Sequence, residues 1–273
     1  MPPVAFPDPF QRTSQPPRTV VVIPARFESS RLPGKPLADI AGRPMIEHVY
    51  RRAADARGVD GVVVATDDVR VAAAVDAFGG IVRMTSPEHR SGTDRVAEVA
   101  RDLACDIIVN VQGDEPLIEP ETIAQSLAPL VSGAAQMSTL RRAIADPADY
   151  TSPHVVKVVV DRHGDALYFS RAPIPSVRNG GRGANPPGSS GEPERLVPLF
   201  KHIGLYAYRR EFLLEIAALA PTPLEIAESL EQLRVLEHGF RIHTVETEFD
   251  SIGVDTPEDL ERVRHLHTVA SRA

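Results

Sequence analysis

The loop that follows an apolar run near the start of the chain carries the residues best suited to chemistry. Arg26, Arg31 and Lys35 lie within ten residues of one another, directly after the β-branched run 20–23. Such a run is typical of a buried strand, and open α/β sheets bind ligands in the loops at the carboxyl ends of their strands. Two prolines and a glycine restrict the path of this loop. Its three cations predict a site for a polyphosphate.

Lysine is rare in this chain. Only Lys35, Lys157 and Lys201 are lysines among the 30 basic residues. A lysine kept where arginine is the usual cation favours a place that needs a compact point charge rather than a planar fork. For Lys35 the surrounding loop supports that interpretation, whereas mutational drift explains Lys157 and Lys201 equally well.

Two aspartates could add carboxylates to the same site. Asp114 follows the apolar run 107–111, and Asp255 comes just before the sequence Thr-Pro-Glu-Asp, which is typical of a helix start. Two carboxylates opposite a cationic loop could hold Mg²⁺ and would suit a metal-assisted phosphoryl or nucleotidyl transfer. For Asp114 the alternative is a plain turn residue, because a glycine and a proline flank it.

Segment 91–95, which reads SGTDR, could contact a ligand at the start of a helix. Gly92 would let a ligand approach the backbone closely, while Ser91 or Arg95 contacts it. The alternative is simple helix capping, with Thr93 as the predicted N-cap residue.

Two pairs of residues are each predicted to share a face. Glu228 and Gln232 are four residues apart in a helix predicted over 223–237, and His202 and Tyr206 alternate along a predicted strand. A hydroxyl-rich ligand could bind the first pair. The alternatives are exposed surface positions for the first pair and half-buried core positions for the second.

Composition and missing motifs exclude several classes of function. The chain has no Walker A loop, no GxGxxG after a strand and no HExxH, so dehydrogenases and metalloproteases lose their main support. The net charge of −7 argues against general binding of nucleic acid or acidic membranes. The single cysteine, Cys105, favours a reducing compartment, and no stretch approaches the length of a membrane span. We therefore expect a cytoplasmic protein.

The elements that must position these residues alternate between strand and helix. Strands are predicted at 20–23, 61–65, 81–84 and 106–111. Helices are predicted between and after them, at 44–56, 69–78, 93–103 and 121–131. This rhythm predicts an α/β fold with a doubly wound, mostly parallel sheet. Later patterns predict a β-hairpin formed by 155–160 and 166–170, a strand at 202–208 and helices at 223–237 and 256–266.

The same pattern divides the chain into four parts. Residues 1–17 hold six prolines and predict a disordered leader rather than a secretory signal. The predicted α/β core spans 18–150, a smaller inserted lobe containing β-strands spans 151–210, and the helices of 211–273 complete the core. Within the lobe, 178–195 is rich in Gly, Pro and Ser and predicts a long loop that is functional or disordered.

Taken together, the motifs resemble one known family. They follow in order from Val20 to Arg264 and cover nearly the whole chain. LPGKP and QGDEP are shared with the wider group of sugar nucleotidyltransferases, whereas SGTDR, YFSRAPIP, HIGLYAYR and LEQLRVL are much more specific. The sequence is similar to the 3-deoxy-manno-octulosonate cytidylyltransferases, also called CMP-KDO synthetases.

This resemblance implies a reaction and an assignment of residues. CTP and the eight-carbon acid sugar KDO would give CMP-KDO and pyrophosphate for lipopolysaccharide synthesis, with Mg²⁺ as the cofactor. The implied catalytic residues are Arg26, Lys35, Asp114 and Asp255, of which the two aspartates would bind the metal. The nucleotide would contact Ala25, Arg26, Lys35, Ser91, Gly92, Arg95, Gln112 and Asp114. The sugar would contact Arg171, His202, Tyr206, Glu228 and Gln232, and an arginine suits its carboxylate.

The resemblance also implies a homodimer with its contact in the lobe, and no nucleic-acid or membrane partner. Two features depart from the family: the leader, which we expect to be dispensable, and segment 178–195, which is longer than expected and could lie over the sugar pocket. Two alternatives stay open. One is a cytidylyltransferase for a related acid sugar, such as amino-KDO or sialic acid. The other is a nucleotide-binding regulator, which would have no reason to keep both carboxylates.

Overall fold

The structure is a computed structural model that describes residues 17–28, 31–89, 91–176 and 198–270. The predicted loop 178–195, and the predicted leader apart from Pro17, lie outside these residues. The strands are β1 (Thr19–Ala25), β2 (Asp39–Ile40), β3 (Arg43–Pro44), β4 (Gly61–Thr66), β5 (Val82–Met84), β6 (Ile107–Asn110), β7 (Met137–Ala143), β8 (Lys157–Val160), β9 (Ala166–Ser170), β10 (Phe200–Arg209) and β11 (His243–Glu246). The helices are α1 (Met45–Ala54), α2 (Val69–Ala77), α3 (Gly92–Arg101), α4 (Pro120–Val131), α5 (Pro147–Thr151), α6 (Arg210–Ala217), α7 (Pro223–Glu228), α8 (Gln232–Glu237) and α9 (Pro257–Ala270).

The described strands, apart from the β2–β3 hairpin, form one nine-stranded mixed sheet. Its main order is β11-β7-β10-β6-β1-β4-β5, with β8 paired to β10 and β9 paired to β8. Strand β1 is parallel to β4 and β6, β4 is parallel to β5, and β7 is parallel to β11. In the main order only β10 runs in the opposite direction. The prediction of a mostly parallel sheet is therefore confirmed.

Helices cover both faces of this sheet because alternate residues of a strand point to opposite sides. Val20 and Val22 of β1 pack in one buried cluster with α3 and α6. Val21 and Ile23 pack in a second cluster with α1, α2 and α4. All four side chains are 5% exposed or less, and each contributes roughly 1.5–3 kcal/mol by its burial. The doubly wound arrangement is confirmed, and it sets the carboxyl ends of β1, β4 and β6 along one edge.

The predicted hairpin of the lobe is also confirmed, as the antiparallel pair β8–β9. Strand β10 connects this pair to the core, because Phe200 and Lys201 pair with β8 while later residues of β10 pair with β6 and β7. The elements not predicted from the sequence are β2, β3, β7, β11, α5 and α6. The second half of β7 carries two arginines, which hid its strand pattern.

The helix predicted over 223–237 is wrong. Helix α7 ends at Glu228, Ser229 adopts a left-handed conformation with φ 53°, and α8 begins at Gln232. Leu230, in the break, and Leu233, in α8, both pack in the buried cluster that contains α6. Glu228 and Gln232 therefore belong to different helices and do not share a helical face.

Candidate active site

A cavity of about 410 Å³ lies at the carboxyl ends of β1 and β6. Four segments line it: the loop after β1, the start of α3, the loop after β6 and the loop before α9. All four predicted catalytic residues are in its wall. The lining residues are Pro24, Ala25, Arg26, Glu28, Arg31, Lys35, Pro36, Gly92, Gln112, Gly113, Asp114 and Asp255.

Lys35 stands between the two predicted metal-binding carboxylates. Its Nζ lies 2.6 Å from Asp114 Oδ2 and 3.1 Å from Asp255 Oδ1. Partial burial acts to lower the pKa of Lys35, but the charges and hydrogen bonds of the two aspartates outweigh it, and the pKa is raised. The side chain is therefore an ammonium at neutral pH. The structure brings together three residues that are separated by 79 and 220 positions in the sequence.

Two arginines add positive charge to the same wall. Arg31 Nη2 lies 3.1 Å from Asp255 Oδ2, so this carboxylate is shared between a lysine and an arginine. Arg26 donates a hydrogen bond from Nη2 to the carbonyl of His89, which ties the loop after β1 to the segment before α3. Arg31 is predicted from the sequence as a loop cation but is not among the predicted site residues.

Backbone geometry at two glycines shapes the cavity. Gly34, which precedes Lys35, has φ +72°, a backbone conformation that residues other than glycine rarely adopt. A Cβ added at Gly113 would lie only 2.8 Å from the carbonyl oxygen of Pro24. The loops after β1 and β6 therefore touch, and glycine is required at the point of contact.

The start of α3 faces the cavity, although its cap differs from the prediction. Ser91, not Thr93, is the N-cap residue, and its Oγ accepts a hydrogen bond from the backbone nitrogen of Asp94 at 3.1 Å. Gly92 follows and lines the cavity, while Ser91 does not. Gln112 lies beside them, with its Nε2 donating to Asn110 Oδ1 at 3.2 Å.

The structure separates Arg95 from this cavity. Its side chain is fully buried, with Nη2 donating to Asp67 Oδ2 at 2.9 Å and Nη1 donating to Thr85 Oγ1. The guanidinium therefore ties α3 to the end of β4. Asp67 in turn lines a neighbouring cavity of about 320 Å³, which shares Arg26 and Glu28 with the first. Among the described residues, Asp67 is the contact between the Arg95 side chain and a cavity that a ligand could enter.

Glu115 is a buried carboxyl that the sequence analysis missed. It follows Asp114, and burial, together with the charge of Asp114, raises its pKa to about 7. Its Oε2 has no hydrogen-bond partner among the described residues. The QGDEP motif could have signalled it, but a glutamate between an aspartate and a proline also fits an ordinary turn.

Two of the predicted sugar residues, Arg171 and Glu228, contact each other. Glu228 accepts hydrogen bonds from the backbone nitrogen of Arg171 at 2.9 Å and from Ser170 Oγ at 2.5 Å. Arg171 Nε donates to the Glu228 carbonyl at 2.9 Å, and its Nη1 donates to the Pro153 carbonyl at 3.2 Å. Both oxygens of Glu228 are therefore used to hold the end of β9.

Of the other three predicted sugar residues, Gln232 is buried, whereas His202 and Tyr206 are half-buried. His202 and Tyr206 are neighbours on β10 with ring centroids 5.4 Å apart, and His202 Nε2 lies 2.8 Å from Thr139 Oγ1. Burial lowers the pKa of His202 to about 3 and raises that of Tyr206 well above its usual value, so both are neutral. Gln232 is 5% exposed and shares a small cavity with Tyr206 at the start of α8.

A hydrogen bond joins the start of α3, beside the cavity, to the segment that carries the predicted sugar residue Gln232. Thr93 Oγ1 at the start of α3 donates to Glu231 Oε2 just before α8, at 2.6 Å. The segment that carries Gly92 is therefore tied to the segment that carries Gln232. No role is predicted for Glu231 from the sequence.

Known proteins are similar to this chain in sequence. The family described as cytidylyltransferase matches residues 20–243. The 3-deoxy-manno-octulosonate cytidylyltransferase of Geobacter metallireducens is 58% identical over 247 residues, which are 90% of this chain and 96% of that protein. The protein of the same name from Solibacter usitatus is 53% identical over 252 residues, which are 92% of this chain and 95% of that protein.

Solved structures agree. A CMP:2-keto-3-deoxy-manno-octonic acid synthetase complexed with CTP is 47% identical, with a TM-score of 0.84 over 93% of this chain and 99% of that one. A cytidylyltransferase from Leptospira borgpetersenii is 16% identical, with a TM-score of 0.60 over 92% of this chain and 87% of that one, and it shares the fold alone. Among the described residues, every helix is too short or too polar to cross a bilayer.

Proposed function

This chain belongs to the 3-deoxy-manno-octulosonate cytidylyltransferase family, and we propose that it transfers the CMP group of CTP to the acid sugar KDO. The products are CMP-KDO and pyrophosphate. The observation that carries the proposal is the cavity at the ends of β1 and β6, where three cations and two aspartates converge beside two glycines. Relatives that are more than half identical over nine-tenths of the chain support KDO as the sugar.

The reaction needs positioning and charge neutralisation more than covalent help from the protein. The anomeric hydroxyl of the sugar attacks the α-phosphorus of CTP and releases its proton to solvent, and the bond between that phosphorus and the oxygen bridging to the β-phosphate breaks. Negative charge grows on the departing pyrophosphate. Arg26, Arg31 and Lys35 line the cavity and supply the opposing positive charge.

Backbone groups complete the nucleotide site. Gly92 lies in the first turn of α3 and lines the cavity, and the free N–H groups of a helix start favour phosphate. Gly113 lets the loop after β6 approach β1 closely, so that Gln112 and Asp114 face the same space. We assign Ala25, Gly92 and Gln112 to the nucleotide.

The residues of the cavity fit Mg²⁺. Asp114 and Asp255 already hold one cation between them, the ammonium of Lys35, and carboxylate oxygens are ligands that Mg²⁺ prefers. In the described part of the chain, no group of three or more His, Cys, Asp or Glu side chains could hold a metal ion. An ion bound by two carboxylates would complete its shell with phosphate oxygens and water, as Mg²⁺ usually does. Such an ion neutralises phosphate charge and orients the triphosphate.

We assign the sugar to the lobe. Arg171 carries a guanidinium, which pairs with a carboxylate in a planar, bidentate manner, and KDO has one carboxylate. Glu228 holds the backbone of Arg171, and His202, Tyr206 and Gln232 are neutral groups that suit hydroxyls.

We further propose a cytoplasmic homodimer whose product feeds lipopolysaccharide synthesis. The single cysteine supports a reducing compartment. The apolar side chain of Leu167 on β9, which is 62% exposed, supports a contact surface in the lobe. Light scattering of the purified protein tests the dimer, and a mass equal to one chain would overturn it.

The deciding experiment is pyrophosphate release from CTP and Mg²⁺, with and without KDO. We expect release only when both substrates are present. A strong preference for a nine-carbon acid sugar would overturn the choice of KDO. Tight CTP binding without release for any acid sugar would overturn the reaction itself.

A second experiment tests the carboxylates. Asp114→Asn and Asp255→Asn should each lower kcat by about 10²-fold or more, because they remove charge that the cavity needs for Mg²⁺, while the melting temperature stays close to that of the wild type. Asp76→Asn, on the exposed face of α2, is the matched control. Near-normal turnover in either cavity variant would contradict the metal assignment.

A further inference from the structure

Lys157, at the start of β8, is a fully buried lysine, and its ammonium binds only backbone carbonyls among the residues that the structure describes. Its Nζ donates to the carbonyls of Ser152 at 2.7 Å, Val155 at 2.5 Å and Arg171 at 2.5 Å. An ammonium has three N–H donors, and these three acceptors use them all. A buried charge without such partners would be strongly unfavourable, so the arrangement is closely specified.

The three carbonyls belong to the two segments that hold Arg171 in place. One is the carbonyl of Arg171 itself. The other two belong to Ser152 and Val155, in the same short loop as Pro153, whose carbonyl accepts a hydrogen bond from Arg171 Nη1 at 3.2 Å. A single ammonium therefore fixes both the backbone of the arginine and the loop that holds its guanidinium.

Helix α7 restrains the same arginine from the other side. Glu228 accepts from the backbone nitrogen of Arg171 through its carboxylate and from Arg171 Nε through its carbonyl, each at 2.9 Å. Lys157 pairs with Ser170 on β9, directly before the arginine. Lys157 and Glu228 thus hold Arg171 between them, one through its carbonyl and the other through its nitrogen.

We propose that Lys157 is a positioning residue for the acid sugar, because its ammonium sets where the guanidinium of Arg171 meets the sugar carboxylate. The inference rests on the proposed function, in which Arg171 binds that carboxylate. It also explains why this arginine-rich chain keeps a lysine here. Three carbonyls that converge on one atom match a compact ammonium and not a planar guanidinium.

The test compares steady-state kinetics of Lys157→Met, Arg171→Ala and the double variant. We expect Lys157→Met to raise the KM for KDO about tenfold or more while the KM for CTP changes less than about twofold. The double variant should be no worse than Arg171→Ala alone, because the lysine acts through the arginine. Lys201→Met is the matched control, since Lys201 lies opposite Lys157 on β10 but pairs with Asp149 and Asp250.

The outcomes separate the inference from the function on which it rests. If Arg171→Ala raises the KM for KDO but Lys157→Met does not, or if the two effects multiply in the double variant, Lys157 has no positioning role. If Arg171→Ala leaves the KM for KDO unchanged, the sugar assignment of Arg171 is wrong and the inference falls with it. Should Lys157→Met fail to fold, Lys157→Gln, which keeps two N–H donors, replaces it in the same assays.

Discussion

Gly113→Ala tests whether the loops after β1 and β6 must touch for the active site to form. The added Cβ would lie 2.8 Å from the carbonyl oxygen of Pro24, whereas ordinary contacts begin at 3.4 Å. That oxygen belongs to the backbone of β1 and cannot rotate away. The two segments would have to separate by about 0.6 Å, against a parallel ladder in which Val22 pairs with Asn110.

Gly113→Ala should lower the free energy of unfolding, because the added methyl group overpacks a point where the backbone cannot relax freely. Such contacts destabilise by about 1–3 kcal/mol, and for a domain of this size each kcal/mol lowers the melting temperature by about 2–4 °C. Gly113 also lies between Gln112 and Asp114, so the same shift displaces groups that line the cavity. Since a misplacement of about 1 Å can cost 10²-fold in rate, we expect kcat to fall about tenfold or more.

The assay is a thermal melt together with pyrophosphate release under saturating CTP and KDO. Gly61→Ala is the matched control, because Gly61 begins β4 in the same sheet and a Cβ there meets nothing within 4 Å. The control should melt and turn over like the wild type. If Gly113→Ala behaved like the control in both measurements, the argument that these two loops must touch would be refuted.

Three further predictions concern residues whose structural setting differs from what the sequence suggested. Arg95→Met should destabilise by about 3 kcal/mol, because it leaves Asp67 without its buried partner; an unchanged melting temperature would contradict this. His202 has a folded pKa of about 3 against 6.5 in an unfolded chain, so the unfolded state takes up the proton first and stability falls as the pH drops below 6.5. Urea unfolding should therefore show that the unfolding free energy of the wild type falls between pH 7 and pH 5, and that this fall is smaller in His202→Gln by up to about 2 kcal/mol. Equal falls in the two proteins would refute a neutral His202 imidazole in the folded state. Ser229→Gly should keep or raise the unfolding free energy while Ser229→Val lowers it by about 1–3 kcal/mol, since φ is 53°; the reverse order in denaturant melts would show that the helix break lies elsewhere.

Local patterns were enough to predict most elements of the core. The β-branched run at Val20–Ile23 is a buried strand because every side chain in it is apolar, and the following Pro and Gly residues force a loop. The same kind of argument placed Asp114 at the end of β6 and Asp255 before α9. Local patterns fail at Ser229, because neither helix propensity nor capping patterns signal a left-handed residue inside 223–237.

The sequence by itself determined which residue types stand at the ends of which strands, because side-chain alternation, prolines and glycines act over a few residues. Only the tertiary structure decided which of them meet. Lys35 contacts carboxylates that are 79 and 220 positions away in the sequence, and Arg95 is buried against Asp67. Lys157 donates hydrogen bonds to three carbonyls from two segments. These contacts depend on strand order, register and packing across the whole chain, which no local sequence pattern specifies.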